Sequence, residues 1–374
     1  MKILVRGTNW LGDAVMTTPA LLRLREKFPD ALIALLTPEK LRGLWLHHPA
    51  VNEIISFAPG EGVFSVGRRL RRWGEAPDEP TMARGDARPT QFDLALVLPN
   101  SPRSAIEVFL AGIPKRIGHA RPWRNFFLTQ TVAPRPGAGK MSKRSVAEIK
   151  RLVAADGSQR PISIGGVLPN SATAHQIHEY LHLAAALGAN PEPLAPQLFV
   201  APEEIDAAKK KFGLPEITQP IFGLNPGAEY GPAKRWPVEK FIAAAREIQQ
   251  KTNCVWILFG GKGDQQLASQ IASAIHDSRF TIHDFAGKTS LRLTNDTGPM
   301  HVAAALGTPV VVPFGSTSPE LTGPGLPGDP RHRLLKSDAP CSPCFLRECP
   351  VDFRCMNGIG VGRVVEAVVE SLQR

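Results

Sequence analysis

The sequence predicts an α/β protein built from two doubly wound halves, each on a parallel sheet. Three observations carry that prediction. Apolar runs of strand length alternate with helically spaced segments over most of the 374 residues. The alternation stops at a proline-rich stretch, PEPLAPQLFVAPEE (191–204), and then starts again. Length and a 43% hydrophobic content suit two packed cores of ordinary domain size.

In chain order, KILV is an apolar run, RGTNWLG a glycine-bearing turn, and Asp13 to Phe28 a helix by the spacing of Val15, Leu21, Leu22, Leu24 and Phe28. ALIALLT (31–37), NEIISF (52–57) and FDLALVLP (92–99) read as strands, and SAIEVFLAG (104–112) as a helix. Residues 74–91 are polar and rich in Pro and Gly, the composition of a surface loop. Residues 134–174 read as irregular and partly basic, and HQIHEYLHLAAALG (175–188) as an amphipathic helix.

Beyond the linker, IFGLNPG (221–227), NCVWILFGG (253–261), TIHDFAG (281–287) and PVVVPFG (309–315) are expected strands. Helices are expected from Pro237 to Lys251, Asp264 to His276, Pro299 to Leu306 and Gly362 to Leu372. The resulting division is 1–190, 191–358 and a terminal helix, 359–374, that folds back on the first domain.

No run approaches the roughly 18 apolar residues of a spanning helix, and MKILVRGTNW turns polar too soon for a signal peptide. The expected location is therefore the cytoplasm. A net charge of +10 suits an anionic partner, but no nucleic-acid motif accompanies it, so nucleic acid is not the expected one. Cys254 sits in an apolar strand. Cys341, Cys344, Cys349 and Cys355 have the spacing C-x2-C-x4-C-x5-C, which admits a structural zinc ion or simply reduced, packed thiols. His175, His178 and His182 share a helical face without an acidic or thiol partner and read as a polar face.

Ligands of open α/β sheets bind beyond the carboxyl ends of the strands. That rule selects loops 6–13, 99–104, 225–236, 260–264, 286–290 and 294–301. In TNDTGPMH (294–301) the amides of Thr297, Gly298 and Met300 can face an anion at a helix start, and Pro299 lacks the N–H that position does not need. Asp296 suits a cap or a hydroxyl ligand better than a phosphate. In NPGAEYGPAKRWP (225–237), Gly227 and Gly231 permit close backbone approach, and Lys234 with Arg235 is either a solvated pair or a clamp for a diphosphate leaving group. Asp13 is either a helix cap or a general base.

Together, RGTNWLGDAVMTTPAL, VLPNSPRSAIEVFLAGIPKRIG, NPGAEYGPAKRWP and NDTGPMHVAAALGTPVV resemble glycosyltransferase family 9 over most of the chain, more weakly at 58–91 and 134–220. The resemblance implies the GT-B fold, two Rossmann-like domains with parallel sheets facing a central cleft. It implies inverting transfer of heptose from ADP-heptose to a heptose of the Kdo–lipid A core, without a cofactor or catalytic metal. The absence of any Asp-x-Asp agrees with that. Asp13 would be the general base and Lys234 the diphosphate contact. Asn225, Gly227, Arg235, Asp264, Asp296, Thr297, Gly298, Met300 and His301 would line the donor site.

Gly12, Asn100, Arg103, Arg121 and Arg124 would meet the acceptor. With Arg68, Arg69, Arg71, Arg72, Lys115 and Arg116 they form a basic set suited to an anionic acceptor or membrane surface, with Trp73 and Trp123 at the headgroup level. Contact with the inner face of the inner membrane is expected to be peripheral. The competing readings are a transferase for another nucleotide sugar, a sugar-nucleotide epimerase, and a non-catalytic binder of anionic glycolipid.

Two departures stand out. The family places a helix after GKTSL, whereas FAGKTSLRLTNDTG leaves only Arg292 and Leu293 between Leu291 and Thr294. Parallel strands need a crossover of about a dozen residues, so the expectation is a segment left out here rather than deleted. The polar insert at 74–91 is the second departure, expected near the acceptor.

Overall fold

The computed structural model describes residues 1–73, 92–139, 141–156, 173–211, 214, 217–275, 278–281 and 289–373. The expected surface loop at 74–91 lies outside them. The chain forms two compact units, Met1–Ala138 with Ile177–Leu194, and Gly139–Gln176 with Ala195–Arg374.

The first unit holds strands β1 (Lys2–Arg6), β2 (Leu32–Pro38), β3 (Glu53–Phe57), β4 (Leu94–Val97), β5 (Lys115–His119) and β6 (Gln130–Val132), all pairs parallel, in the order β3-β2-β1-β4-β5-β6. The second holds β7 (Ile221–Asn225), β8 (Val255–Phe259), β9 (Ser278–Thr281), β10 (Leu291–Thr294), β11 (Val310–Phe314) and β12 (Arg333–Lys336), also parallel, in the order β12-β11-β10-β7-β8-β9. Counted within its own half, each sheet reads 3-2-1-4-5-6. The order reverses between β1 and β4 in one unit and between β7 and β10 in the other. Such reversals splay the following loops apart and leave a crevice for a ligand.

The central strands are continuous apolar runs because helices cover both faces of each sheet. Leu4, Ala34, Leu36 and Val97 pack with Val66, Leu70, Ala105 and Val108 in the first unit. Phe222, Leu224, Trp256, Phe241 and Ile248 form the core of the second.

Several expectations are revised. The helix expected from Asp13 to Phe28 is two, Leu11–Met16 and Thr18–Lys27. Pro19 has no N–H for the Val15 carbonyl, and the Thr18 hydroxyl donates to it instead at 2.8 Å. The stretch 134–174 contains a helix, Val146–Asp156. Residues 139–176 group with the second unit. The last helix, Val361–Leu372, places Val364, Val365 and Val368 in the second unit's core.

The shortened stretch after GKTSL runs straight into a strand. The Ser290 N–H donates to Ile221 O at 2.9 Å, and Leu291–Thr294 continue directly as β10 beside β7. Part of the expected strand 281–287 lies outside the described residues; β9 ends at Thr281.

Candidate active site

In the second unit, Thr294 pairs with Asn225 across β10 and β7, so the loops leaving these two strands emerge side by side. The polar side chains at the strand ends lock the pair together. Asn225 Nδ2 donates to Phe259 O at 2.8 Å, and Asn295 Nδ2 to Pro226 O at 2.7 Å. Asn295 Oδ1 accepts from the Trp236 N–H at 2.9 Å. These amides are buried, and each bond replaces water that burial removed.

On this frame sits an ion pair. Lys234 Nζ lies 2.7 Å from Asp296 Oδ2, with the carboxylate side chain 3% exposed and the lysine 14%. The Thr317 hydroxyl, from the loop after β11, donates to the same oxygen at 2.5 Å. Thr317 carries no sequence signal of its own, and the sequence reading missed it. Asp296 does not cap the helix Gly298–Ala305; Thr297 is the residue at that position. Its carboxylate holds the lysine instead. The Met300 N–H donates to Thr297 O at 3.0 Å and its side chain is core, so Met300 does not face a ligand as expected. Thr297 and Gly298 remain part-exposed at the helix start, where the helix dipole favours an anion.

His301 is buried one turn further along. Burial pushes its imidazole down to about 4, against a partial opposing effect of Asp296, so the ring is neutral at pH 7.

Around Gly227 the backbone runs against Asp264: a Cβ there would lie 2.5–2.7 Å from the Asp264 carboxylate group. Asp264 Oδ2 accepts from the Gly261 N–H at 3.0 Å, and Arg235 Nη2 stands 3.8 Å from Oδ1 at the exposed rim. Gly231 has φ 153°, and a Cβ would meet Arg347 O at 2.5 Å, so only glycine fits.

The cysteine-bearing segment braces this loop. Tyr230 Oη donates to Phe345 O at 2.9 Å, and its ring lies between Lys234 at 5.1 Å and Arg347 at 5.2 Å. Burial raises the thiols of Cys341, Cys344 and Cys355, the last to about 12. Cys349 Sγ accepts from the Phe353 N–H. Among the described residues no group of three or more His, Cys, Asp or Glu side chains is arranged to hold a metal ion. Cys341 and Cys344 pack with Ile149, Val153 and Leu346, and Cys355 lies in the second unit's core. The three histidines do not share a face of one unit either, because His175 belongs to the second unit and bonds Gly323 O, whereas His182 bonds Ala133 O in the first.

In the first unit, Arg6 pairs with Val97 across β1 and β4, which brings the loops 7–13 and 98–104 together. Asp13 and Gly12 are half-buried in the first turn of the helix Leu11–Met16. Beneath that loop Arg6 Nε meets Glu107 Oε2 at 2.7 Å, both side chains fully buried. Arg6 Nη1 donates to Gly7 O at 2.5 Å and to Asn9 Oδ1 at 2.9 Å. Arg103, expected at the acceptor, bonds Glu107 Oε1 at 2.8 Å. Asn100 is exposed beside it.

Arg124 is not a surface cation. It is fully buried, donates to Pro99 O at 2.5 Å, and is drawn down to about 10 by burial. Arg121 is part-exposed. Trp73, expected at a headgroup interface, stacks on Phe92 at 4.3 Å, half-buried against the core.

Residues 167–353 match the family described as Glycosyltransferase family 9 (heptosyltransferase). The chain is 32% identical over 344 residues to lipopolysaccharide heptosyltransferase 2 of Escherichia coli (strain K12), covering 87% of this chain and 85% of that protein. The solved structure of E. coli ADP-heptose lps heptosyltransferase II superposes with a TM-score of 0.73 at 26% identity, covering 100% of this chain and 99% of that one. A glycosyl transferase family 9 protein from Veillonella parvula DSM 2008 shares the fold, with a TM-score of 0.74 at 20% identity over 100% and 97% of the two chains. No helix of the described residues is long and apolar enough to cross a membrane. By its sequence, its two parallel sheets and its match to these proteins, the chain belongs to glycosyltransferase family 9, the heptosyltransferases.

Proposed function

We propose that this enzyme moves heptose from ADP-heptose onto a heptose of the lipopolysaccharide inner core, with inversion at the anomeric carbon. The relatives named lipopolysaccharide heptosyltransferase 2 support the donor and acceptor class. The observation that carries the reading is the Lys234–Asp296 pair at the strand-order reversal of the second sheet, beside the start of the helix Gly298–Ala305.

The reaction is a single displacement. The Asp13 carboxylate takes the acceptor hydroxyl proton, that oxygen bonds the anomeric carbon, and the bond from that carbon to the diphosphate oxygen breaks as ADP leaves. Lys234 shifts from Asp296 toward the diphosphate and offsets the charge that grows on the leaving oxygen. Thr317 keeps Asp296 in place when the lysine turns away. Asn225, Gly227, Asp264, Thr297 and Gly298 shape the donor side, and a neutral His301 adds no competing charge. Arg235 closes the rim. On the acceptor side Gly12, Asn100 and Arg121 are accessible, whereas Arg103 and Arg124 act by holding the loops that carry them.

The test is to incubate the protein with ADP-heptose and defined Kdo–lipid A acceptors and identify the product by mass. Acceptor-dependent gain of one heptose with stoichiometric ADP supports the reading. No product with any heptosylated acceptor overturns it.

A further inference from the structure

The loop that leaves β1 carries an aromatic side chain that the fold does not use. Trp10 stands at the cap position before the helix Leu11–Met16, with an extended backbone (φ −110°, ψ 141°) and no side-chain hydrogen bond to the helix. Short polar residues serve that position because they accept from the first free amides, and an indole has no acceptor to offer. Nor does Trp10 serve the core, since 45% of it is exposed.

The loop is nevertheless held firmly. The Gly7 N–H donates to Leu36 O at 2.9 Å, and Arg6 Nη1 donates to Gly7 O and, at 2.9 Å, to Asn9 Oδ1. Buried Glu107 fixes Arg6 in turn. From just beyond β2, Lys40 places its ammonium over the Trp10 ring, 5.5 Å from the centroid. The cation is drawn to the negative face of the indole and props it, leaving the rest of the ring surface to a ligand.

The ends of the same two strands hold further groups that the fold leaves idle. Thr8 Oγ1 and Thr37 Oγ1 are buried and have no hydrogen-bond partner among the described residues. Buried hydroxyls are almost always paired, and local rules are broken chiefly where function asks for it.

The neighbour of Trp10 says what the ring takes. Asp13 lies one helical turn further on, and the Ala14 N–H after it donates back to Trp10 O at 2.9 Å. Side chains three positions apart on such a turn are neighbours. A pyranose presents a face of C–H groups and a rim of hydroxyls. The C–H groups carry slight positive charge and are attracted to an aromatic face, while a rim hydroxyl reaches the carboxylate. An adenine ring would also stack, but the groups that suit its diphosphate, Lys234 and the start of the helix Gly298–Ala305, belong to the second unit.

We propose that Trp10, propped by Lys40, is the stacking platform for the acceptor sugar. It selects an acceptor whose terminal residue offers an unsubstituted C–H face beside the hydroxyl that reacts. The inference rests on the reading of Asp13 as the base for that hydroxyl.

The test titrates the full chain, with ADP present, with a deacylated, water-soluble heptosylated Kdo–lipid A acceptor. Tryptophan emission and calorimetry report binding, and initial rates with ADP-heptose report the acceptor KM. Wild type should show a saturable change in emission that Trp10→Phe lacks. Trp10→Ala should raise the acceptor Kd and KM about fivefold to tenfold without weakening ADP binding. Trp10→Phe should recover most of that loss and Trp10→Leu should not, which separates an aromatic face from apolar bulk. Acceptor Kd and KM unchanged in Trp10→Ala overturn the proposal while leaving the functional reading intact. Equal recovery by Leu and Phe overturns it too. So does an emission change that ADP alone produces and the acceptor does not, since the indole would then hold the nucleotide. Trp10-dependent acceptor binding without transfer from ADP-heptose supports this inference while removing the functional reading above.

Discussion

The Lys234 ammonium and the Asp296 carboxylate meet at 2.7 Å, and the oxygen they share also accepts the Thr317 hydroxyl. The lysine thus waits as half of a pair, braced by the Tyr230 ring, at the crevice where a nucleotide diphosphate is expected. A cation held this way is positioned before the donor arrives, which lowers the reorganisation needed as charge develops.

Removing that cation should weaken the donor complex and slow the chemistry together. Lys234→Ala is expected to reduce kcat by about 10²–10³-fold and to weaken ADP binding in calorimetry. Thr317→Val should do less, roughly tenfold in kcat/KM, by loosening a hydrogen bond to a charged group. A Lys234→Ala enzyme with wild-type ADP affinity would separate the lysine from the diphosphate.

Glu107 should matter to stability more than its position suggests. It is buried and accepts from Arg6 and Arg103. Glu107→Ala leaves the Arg6 guanidinium buried without its partner and is expected to cost about 3–5 kcal/mol in urea unfolding. Replacing both partners, Arg6→Met with Glu107→Leu, should recover much of that loss.

Acid should destabilise the fold in a defined window. Burial holds His48, His119, His301 and His332 each near about 4, well below an exposed imidazole. Unfolded histidines titrate near ~6.5, so between that pH and about 4 the unfolded chain binds protons that the native one refuses. Stability is full above the unfolded value and falls as pH drops through the window, by on the order of 1–3 kcal/mol per histidine. Urea midpoints at pH 7.5 and pH 5 check this, and equal midpoints would contradict it.

Gly227→Ala places a methyl group against the Asp264 carboxylate. Asp264 must then release the Gly261 N–H, and donor KM is expected to rise about tenfold with stability changed by only about 1 kcal/mol. Dialysis binding of ADP together with a thermal melt distinguishes this from general unfolding.

Strands β1, β2, β4, β7, β8 and β11 and the loops after them were legible in the sequence because burial on both faces writes continuous apolar runs, whereas central β10, LRLT, was not among the expected strands because Arg292 interrupts it. KRIGH at β5 and RLLK at β12 were not, since these short outer strands carry cations that read as surface. The break at Pro19 was missed because Thr18 compensates for the absent amide. The loop residues Lys234 and Asp296 stood out by position, but not their pairing, which depends on β7 and β10 lying side by side. Thr317 and Tyr230 had no local pattern to announce them. Arg124 and Arg103 read as surface cations because sequence does not record that Pro99 O and Glu107 await them.

The central claim is that Asp13 removes the acceptor proton while the second unit holds the departing ADP. Asp13→Asn keeps the shape of the side chain and removes the base. In single-turnover reactions with saturating ADP-heptose and a heptosylated Kdo–lipid A acceptor, the variant should form product about 10²–10⁴-fold more slowly, with donor affinity unchanged. Transfer by the variant at the wild-type rate would contradict the account.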